Sequence, residues 1–438
     1  MLFEIRGMER EERTKFLLLG TMFGFIIGVY WMFTPVRDAF FGQLAHAHWL
    51  YYAKIVSVCA MIPLLFLYGK LVDRLDWKWM FYLLSIFFAL SAVLFFILLH
   101  CSSYGLAAPA SWIGKALGFA WYIWVDSFGA LMVAFFWSFV SETTDPASAK
   151  RGYPIAVLGA QIGGIVGPLV SLIALRYGVP VTYILLLAAV GILIVGFMAW
   201  LIKYAVPERL MEGFKGRTFS TLQPRRTSFI EGLRLLFGNP YLLSIFAILA
   251  LHELIMAFVE YRFKIGVLTK YTSLHDSARW LYVFGMLVNL SAMLIIVFGI
   301  NKIVRTKGMG RALIILPIMS GLVVVSLWIF RDLWAIGFGL LVIKSLNYAL
   351  NQPTKEQLYI PTSRSAKYKA KAWTDLFGMR ISKASGAIAN SLRTWIGIEL
   401  FVGVGSIITL GMVGVWVVVA LYLGRRHKVA VSDETLIC

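Results

Sequence analysis

The sequence predicts an all-α integral membrane protein with twelve transmembrane helices in two halves of six. The first observation is composition: 60% of the 438 residues are hydrophobic and only 14% are charged, whereas soluble domains carry about one quarter charged residues. The second is a mean hydropathy of +0.80. The third is a repetition of apolar runs of about 18 to 23 residues, each long enough to cross a hydrocarbon core of roughly 30 Å as a helix.

Short polar segments separate these runs, which excludes a single-anchor protein and leaves no sizeable soluble domain. The twelve predicted spans are residues 16–35, 48–69, 79–99, 117–140, 154–175, 181–203, 241–261, 280–301, 311–330, 333–352, 374–394 and 401–423. The long hydrophilic segment in the middle divides the chain into an N-terminal half at 1–203, a basic cytoplasmic linker at 204–240, a C-terminal half at 241–424 and a cytoplasmic tail at 425–438.

The net charge of +19 comes from lysines and arginines that collect in alternate loops. This distribution is typical of the positive-inside rule and not of a nucleic-acid-binding surface, so we expect both termini in the cytoplasm. The acidic segment before the first span fits neither a signal peptide nor a transit peptide. We therefore expect a bacterial inner (cytoplasmic) membrane. The outer loop after span seven breaks the pattern, because it contains Arg262 and Lys264.

Four charged residues lie in or at the ends of predicted spans: Lys54, Asp126, Glu260 and Lys355. An ionised side chain near the bilayer centre costs about 2.5 to 3.5 kcal/mol, so each must be paired, hydrated or functional. Asp126 is the deepest, about 15 Å along its helix. Each has a structural alternative: a static ion pair for Asp126, a snorkelling stem for Lys54, a solvated interfacial cluster for Glu260, and a positive-inside lysine for Lys355.

The ends of spans one and seven form a faint internal repeat that contains further charged residues. Span one ends "FTPVRDAFF" and span seven ends "FVEYRFKIG", which places Arg37 and Arg262 at corresponding positions. Related halves around a central cavity suit alternating access. Together with Asp38, Lys264 and Lys54, these residues could form an outer gate of exchangeable ion pairs.

Span ten is unusually polar near its inner end. Asn347 and three further polar side chains fall within nine residues and are unlikely to face lipid, so we predict that this span lines water; the other three are Lys344, Asn351 and Gln352. Lysines and arginines in such a cavity suit a polyvalent anion, because they give charge-assisted hydrogen bonds to phosphate.

Tyr122, with Trp121 and Trp124, could stack on a flat ring or belong to an interfacial belt.

No metal-ligand, nucleophile or phosphate-loop pattern is present, so we expect neither an enzyme nor a cofactor. The stretch "GAQIGGIVGPLV" contains Gly159, Gly163, Gly164 and Gly167. These small residues let the fifth span approach a neighbouring helix closely.

Two motifs bring a resemblance to known families. Between spans two and three, "GKLVDRLDWKW" places Gly69, Asp73 and Arg74 in an arrangement that resembles the cytoplasmic G-x-x-x-D-R signature of the major facilitator superfamily. "PTKEQLYIP" at 353–361, followed by "KYKAKAWTDLFGMRISKASGA" at 367–387, resembles the bacterial and plastid ATP/ADP translocase family. "VRDAFF", "YYAKI", "WYIWVDSFGALM" and the segment around span seven resemble the same family in collinear order.

The resemblance implies a nucleotide exchanger with a major-facilitator-like fold. It implies that Lys54, Asp126, Glu260 and Lys355 correspond to the family's transport-critical charged positions. Asp126 replaces the usual glutamate, Arg37 replaces a lysine, and "IPTSRSA" replaces an acidic run, so these departures bear on which nucleotides are exchanged.

We therefore expect a transporter in the lipid bilayer that exchanges ATP and ADP by alternating access. We expect it to act as a monomer and to have no nucleic-acid partner. The first alternative is a proton-coupled carrier of nucleotides or another organic anion, with Asp126 or Glu260 as the proton site. The second is a membrane receptor or scaffold that transports nothing.

Overall fold

The computed structural model describes most of the chain as helix. The described residues are 8–72, 76–101, 105–106, 111–144, 146–211, 229–298, 309–330, 332–351, 354–355, 358–359, 361–362, 370, 373–374 and 378–433. Within them the chain forms twelve helices of 13 residues or more. These are α1 (Arg10–Ala45), α2 (Leu50–Val72), α3 (Trp77–Phe96), α4 (Trp112–Glu142), α5 (Pro146–Arg176), α6 (Ile184–Ala205), α7 (Pro240–Lys270), α8 (Leu274–Phe298), α9 (Met309–Ile329), α10 (Leu333–Leu346), α11 (Met379–Ser391) and α12 (Ile398–Ser432).

Ten helical segments in the described part of the chain are long and apolar enough to cross a membrane. The helices α2 and α11 occupy the positions of the predicted second and eleventh spans. Large apolar side chains such as Leu90 on α3 and Val418 on α12 are each 66% exposed. A lipid environment suits such surfaces, because hydrocarbon tails are as apolar as these side chains. The prediction of a multi-pass, all-α membrane protein is confirmed.

Two helices are longer than the sequence predicts. The first span was expected at 16–35, yet α1 has 36 residues and runs to Ala45. The seventh was expected at 241–261, yet α7 has 31 residues and runs to Lys270. Both predicted ends fell where charged residues lower the local hydropathy. The helices continue because these charges meet partners inside the protein, so they need no aqueous loop.

The chain divides into two compact units. The first unit contains Met1–Thr221 and Val267–Leu290, and the second contains Leu222–Gly266 and Ser291–Cys438. In the first unit, α1 packs against α4, α5 and α6, while α3 packs against α6 and α2 against α4. In the second unit, α9 packs against α10 and α12.

Two glycine stripes bring α1 and α5 together. A Cβ atom added to Gly163 would lie 1.9 Å from the carbonyl oxygen of Gly24, and one added to Gly159 would lie 2.0 Å from that of Gly20. Gly167 meets Gly28 in the same way, at 2.2 Å. Each stripe is a small-x-x-x-small repeat, and such repeats let helix backbones approach closely in membranes. The predicted packing role of the fifth span is confirmed, whereas its partner stripe on α1 was not anticipated.

A buried lysine fastens the beginning of α1. The side chain of Lys15 is 2% exposed. Its ammonium group donates hydrogen bonds to the carbonyl oxygen of Thr143 and to the Thr144 hydroxyl, which follow the end of α4, and to the Leu210 carbonyl oxygen. The two carbonyl oxygens lie at helix ends, where backbone acceptors lack intrahelical donors. The beginning of α1 is thereby tied to the end of α4 and to the short helix Glu208–Met211 that follows α6.

Candidate functional site

The first candidate cluster surrounds Asp126 on α4. Arg37 on α1 donates a hydrogen bond from Nη1 to Oδ1 of Asp126. Ser57 on α2 donates from its hydroxyl to Oδ2 at 2.5 Å. Arg37 also donates from Nε to Oδ1 of its neighbour Asp38 at 3.1 Å. Three helices of the first unit thus contribute to one carboxylate-guanidinium cluster.

The cluster is mostly shielded from solvent. The exposed fractions of the side chains are 7% for Arg37, 2% for Asp38 and 27% for Asp126. Arg37 is therefore the buried cation shared by two carboxylates, and Asp126 is the partner that solvent or a ligand reaches. Lys54 is half-buried and lies one helical turn before Ser57 on α2. Sequence reasoning missed Ser57, because a serine in a membrane helix gives little signal on its own.

Aromatic side chains border this cluster in different ways. The Arg37 guanidinium lies 4.5 Å from the ring centroid of Tyr122, a cation-π geometry that adds to its stabilisation. Trp121 and Trp124 stack on each other with centroids 5.3 Å apart, and both meet Phe33 edge-on. Both tryptophans are less than 10% exposed. Both tryptophans therefore pack in the protein core. The sequence had suggested that they stack on a base or form an interfacial belt, and their burial fits neither role.

The second candidate cluster surrounds Glu260 on α7. Lys344 on α10 donates a hydrogen bond to Oε1 of Glu260 at 2.9 Å. Lys264, one turn along α7, lies 3.5 Å from the same oxygen. The side chains of Lys264 and Lys344 are 8% and 18% exposed, and that of Glu260 is 23% exposed. A solvated interfacial cluster would be more exposed. The low exposure therefore favours a carboxylate that contacts two cations in the interior of the second unit.

Three further predicted residues lie in the same unit. Arg262 is half-buried, with its guanidinium 5.8 Å from the Phe258 ring. Asn347 begins a π-helical turn after α10 and accepts a hydrogen bond from the Asn351 amide at 2.9 Å. Lys355 is only 6% exposed. A lysine that merely marks topology would extend into the headgroup region, so its burial favours a structural or binding role.

Sequence reasoning missed a further ion pair, which lies in the middle of α7. Lys383 on α11 lies 3.6 Å from Oε2 of Glu253. His252, the preceding residue, is 3% exposed and meets the Trp416 ring of α12 at 5.6 Å. The available signal was a histidine and a glutamate side by side within predicted span seven.

Two predicted gating residues, Asp73 and Arg74, lie outside the described residues, as does Gln352. Within the described residues, no group of three His, Cys, Asp or Glu side chains is placed to hold a metal ion.

The comparisons with known proteins agree on one family. The family model described as TLC ATP/ADP transporter matches residues 2–427. The chain belongs to this family. The family is one of transporters, so the prediction of a transporter and not an enzyme is confirmed, as is the family resemblance of the sequence motifs.

Curated relatives extend over most of the chain. ADP,ATP carrier protein 1 of Chlamydia pneumoniae is 25% identical over 430 residues, covering 85% of this chain and 82% of the relative. The chloroplastic ADP,ATP carrier protein 2 of Arabidopsis thaliana is 22% identical and covers 99% of this chain and 78% of its own. The similarity therefore includes both clusters.

Solved structures support the fold. A peptide transporter POT aligns with a TM-score of 0.61 at 13% identity, covering 94% of this chain and 95% of that one. The nucleoside transporter NupG aligns with a TM-score of 0.59 at 12% identity, covering 94% and 99%. At these identities the likeness concerns the fold alone, and it confirms the major-facilitator-like architecture.

Proposed function

We propose that the protein exchanges nucleotides across a membrane by alternating access, with ATP and ADP as the principal pair. The observation that carries this proposal is the arrangement of Asp126 and Glu260. Each is a partly exposed carboxylate that contacts a largely buried cation on a neighbouring helix, Arg37 for Asp126 and Lys344 for Glu260, with one such cluster in each unit. The family membership and the names of the relatives support the choice of substrate.

Phosphate oxygens are suitable competitors for such cations. The guanidinium of Arg37 forms directional hydrogen bonds with oxyanions, and the ammonium groups of Lys344 and Lys264 act as compact point charges. When no substrate is bound, Asp126 and Glu260 neutralise these cations. When a nucleotide arrives, its phosphates replace the carboxylates as partners.

This replacement of partners gives the substrate a way to change the conformation. A ligand shifts a conformational equilibrium only by its different free energy of interaction with the two states. Carboxylate-cation contacts stabilise one state, and phosphate-cation contacts stabilise the other. We further propose that Lys54, Arg262, Asn347 and Lys355 contact the nucleotide or its pathway, with Asp38 and Lys264 positioning the cations, and that Asp73 and Arg74 take part in gating.

The proposal extends to location and organisation. We place the protein in a bacterial cytoplasmic membrane with both termini inside, on the basis of the basic residues in alternate loops. Residues 1–203 and 241–424 would act as the two six-helix halves, joined by the linker at 204–240.

The test is uptake of labelled ATP into cells that express the protein, with unlabelled NTPs, NDPs, NMPs and NAD as competitors. We expect ATP and ADP to compete most strongly. Lys344→Gln should lower uptake about tenfold, the effect of roughly 1.4 kcal/mol of lost interaction, because Glu260 and phosphate lose a shared partner. Lys428→Gln is the matched control, since Lys428 is an exposed lysine of α12. The proposal fails if no nucleotide enters or competes.

A further inference from the structure

The beginning of α9 and the last part of α12 meet at a contact between two glycines of the second unit. A Cβ atom added to Gly424 would lie 2.5 Å from the Cα atom of Gly310, and one added to Gly310 would lie 3.4 Å from the Cα atom of Gly424. The two backbones are therefore in direct contact. Each glycine is followed by an arginine, Arg311 on α9 and Arg425 on α12.

These two arginines are close enough to bind one ligand together. Consecutive Cα atoms are about 3.8 Å apart, so the glycine contact places the Cα atoms of Arg311 and Arg425 within about 12 Å of each other. Two extended arginine side chains can bridge that distance. Both arginines are exposed, and within the part of the chain that the structure describes neither is paired with a carboxylate.

The surroundings of both arginines lack negative charge. The sequence contains no Asp or Glu from residue 277 to residue 331, or from residue 400 to residue 432. Arg311 also lies in the first turn of α9, where the helix macrodipole disfavours a cation. An anion bound at this place would neutralise the arginine and would also interact favourably with the N–H groups at the beginning of the helix.

Arg311 lies at one end of an apolar face of α9. Ile318, Leu322 and Val325 follow it along the helix at a spacing that places all four side chains on the same side. Ile318 is 50% exposed and Leu322 is 58% exposed. This side of α9 therefore suits contact with lipid acyl chains, with the arginine at the end of the apolar surface.

The exposed side of α12 has the same arrangement. Val418 and Leu421 precede Arg425 by about two turns and about one turn, so they lie on the same side of the helix, and both are exposed. The ring of Tyr422, whose centroid is 6.0 Å from the Arg426 guanidinium, follows them along the helix. Tyrosine is enriched where the membrane meets water, so the arginines after it are expected at the level of the lipid headgroups.

The glycine contact distinguishes these arginines from basic residues that only mark the cytoplasmic side. A topology marker requires a positive charge near the end of a span and no particular neighbour. Arg311 and Arg425 come from two helices whose backbones touch, and each lies at the end of an exposed apolar face. Basic pockets between transmembrane helices bind anionic lipid headgroups.

We propose that the groove between α9 and α12 binds an anionic phospholipid, such as phosphatidylglycerol. Arg311 and Arg425 donate charge-assisted hydrogen bonds to the phosphate of the headgroup. The acyl chains lie along the apolar faces that include Leu322 on α9 and Val418 on α12. The bound lipid stabilises the contact between the two helices, and this inference does not depend on which substrate the protein transports.

The experiment measures lipid binding to the purified full-length protein in a neutral detergent. Phosphatidylglycerol with a dansyl group on one acyl chain is titrated in, and energy transfer from the tryptophans reports its binding. We expect unlabelled phosphatidylglycerol to displace the probe. Phosphatidylcholine, soluble glycerol phosphate and ATP should not displace it at the same concentrations.

Substitutions of the two arginines test their contribution. Arg311→Gln and Arg425→Gln should each weaken probe binding about fivefold, and the double variant should weaken it about twenty-five-fold, because each cation near the surface adds a similar attraction to anionic lipid. Arg176→Gln is the matched control, since Arg176 is an exposed arginine at the end of α5 and its loss removes the same charge. It should bind the probe as the wild type does.

A glycine variant tests whether the arrangement matters as well as the charge. Gly424→Ala keeps both arginines, but its methyl group would separate α12 from α9, so it should also weaken binding of the probe. Gly414→Ala is its control, because a Cβ atom there meets no atom within 4 Å.

Thermal unfolding distinguishes lipid binding from a purely structural role. Phosphatidylglycerol should raise the unfolding temperature of the wild type and leave that of the double arginine variant unchanged. Without the lipid, the variant should unfold at the wild-type temperature or slightly above it, because a cation at the beginning of α9 is lost. A variant that is less stable than the wild type with and without lipid would contradict the proposal.

Three other results would also overturn it. Equal displacement by phosphatidylcholine would show contact with lipid of any kind. Displacement by glycerol phosphate or ATP would assign the two arginines to a soluble phosphate compound. Undiminished binding in the double arginine variant would exclude the groove. None of these assays measures transport, so a failure of the proposed nucleotide exchange would be detected separately.

Discussion

Replacing Asp126 by asparagine tests whether the first cluster exchanges partners during transport. Asparagine keeps the size of the side chain and an acceptor for the Ser57 hydroxyl, but it removes the charge opposite Arg37. A charge pair about 4 Å apart at an effective dielectric constant of about 20 is worth about 4 kcal/mol. Asp38 still contacts Arg37 at 3.1 Å, and Asp126 is 27% exposed. We therefore halve that value to about 2 kcal/mol. This free energy corresponds to a factor of about thirty in an equilibrium constant.

The direction of the change in KM shows whether Asp126 competes with phosphate for Arg37 or forms a permanent ion pair with it. In the wild type, phosphate must displace Asp126 from Arg37 before it binds. In Asp126→Asn this competition is absent, so the KM for ATP should fall by as much as about thirtyfold. The maximal rate should fall as well, because the empty carrier lacks the contact that neutralises Arg37 when no substrate is bound.

The assay is the concentration dependence of labelled ATP exchange in proteoliposomes, with thermal unfolding measured on the same preparations. Asp126→Glu retains the charge and should keep exchange near the wild-type level. Asp276→Asn is the matched control and should behave as the wild type, because Asp276 is an exposed carboxylate at the beginning of α8. A KM that rises or stays constant in Asp126→Asn, together with a lower unfolding temperature, would refute partner exchange and assign Asp126 to a static ion pair.

Three further predictions concern packing and the second cluster. Gly163→Val should prevent the close contact of two helices and destabilise the protein by several kcal/mol, whereas Gly414→Val, where a Cβ meets no atom within 4 Å, should leave the unfolding temperature nearly unchanged. Glu260→Gln and Lys344→Gln should each lower stability, and a double variant that loses less than the sum of the two would show direct coupling in thermal unfolding. Lys15→Met should lower the unfolding temperature because buried acceptors at a helix end lose their donor; an unchanged midpoint would show that water replaces the ammonium group.

The sequence predicted the class of protein, the number of helices and the residues at the centre of both clusters. Helix number follows from hydropathy, because apolar runs long enough to span a bilayer admit few other structures. Asp126 and Glu260 stood out for a related reason: a carboxylate in an apolar run requires a partner. The family resemblance then linked both residues to transport.

Partners and helix ends were harder to predict, because both depend on contacts between distant parts of the chain. Ser57 reaches Asp126 across 69 residues, and Lys344 reaches Glu260 across 84. The ends of α1 and α7 were placed too early, since a charged residue looks like the beginning of a loop until its partner is known. The stacked Trp121 and Trp124 likewise look available for a base in sequence, yet Phe33 and other core side chains cover them.

Counterflow in proteoliposomes tests the central claim of nucleotide exchange most directly. Vesicles that contain the purified protein are loaded with ADP or left empty, and the entry of external labelled ATP is followed in both. Nucleotide exchange predicts rapid entry only into the loaded vesicles, with release of one ADP for each ATP. Equal rates of ATP entry into loaded and empty vesicles would contradict it.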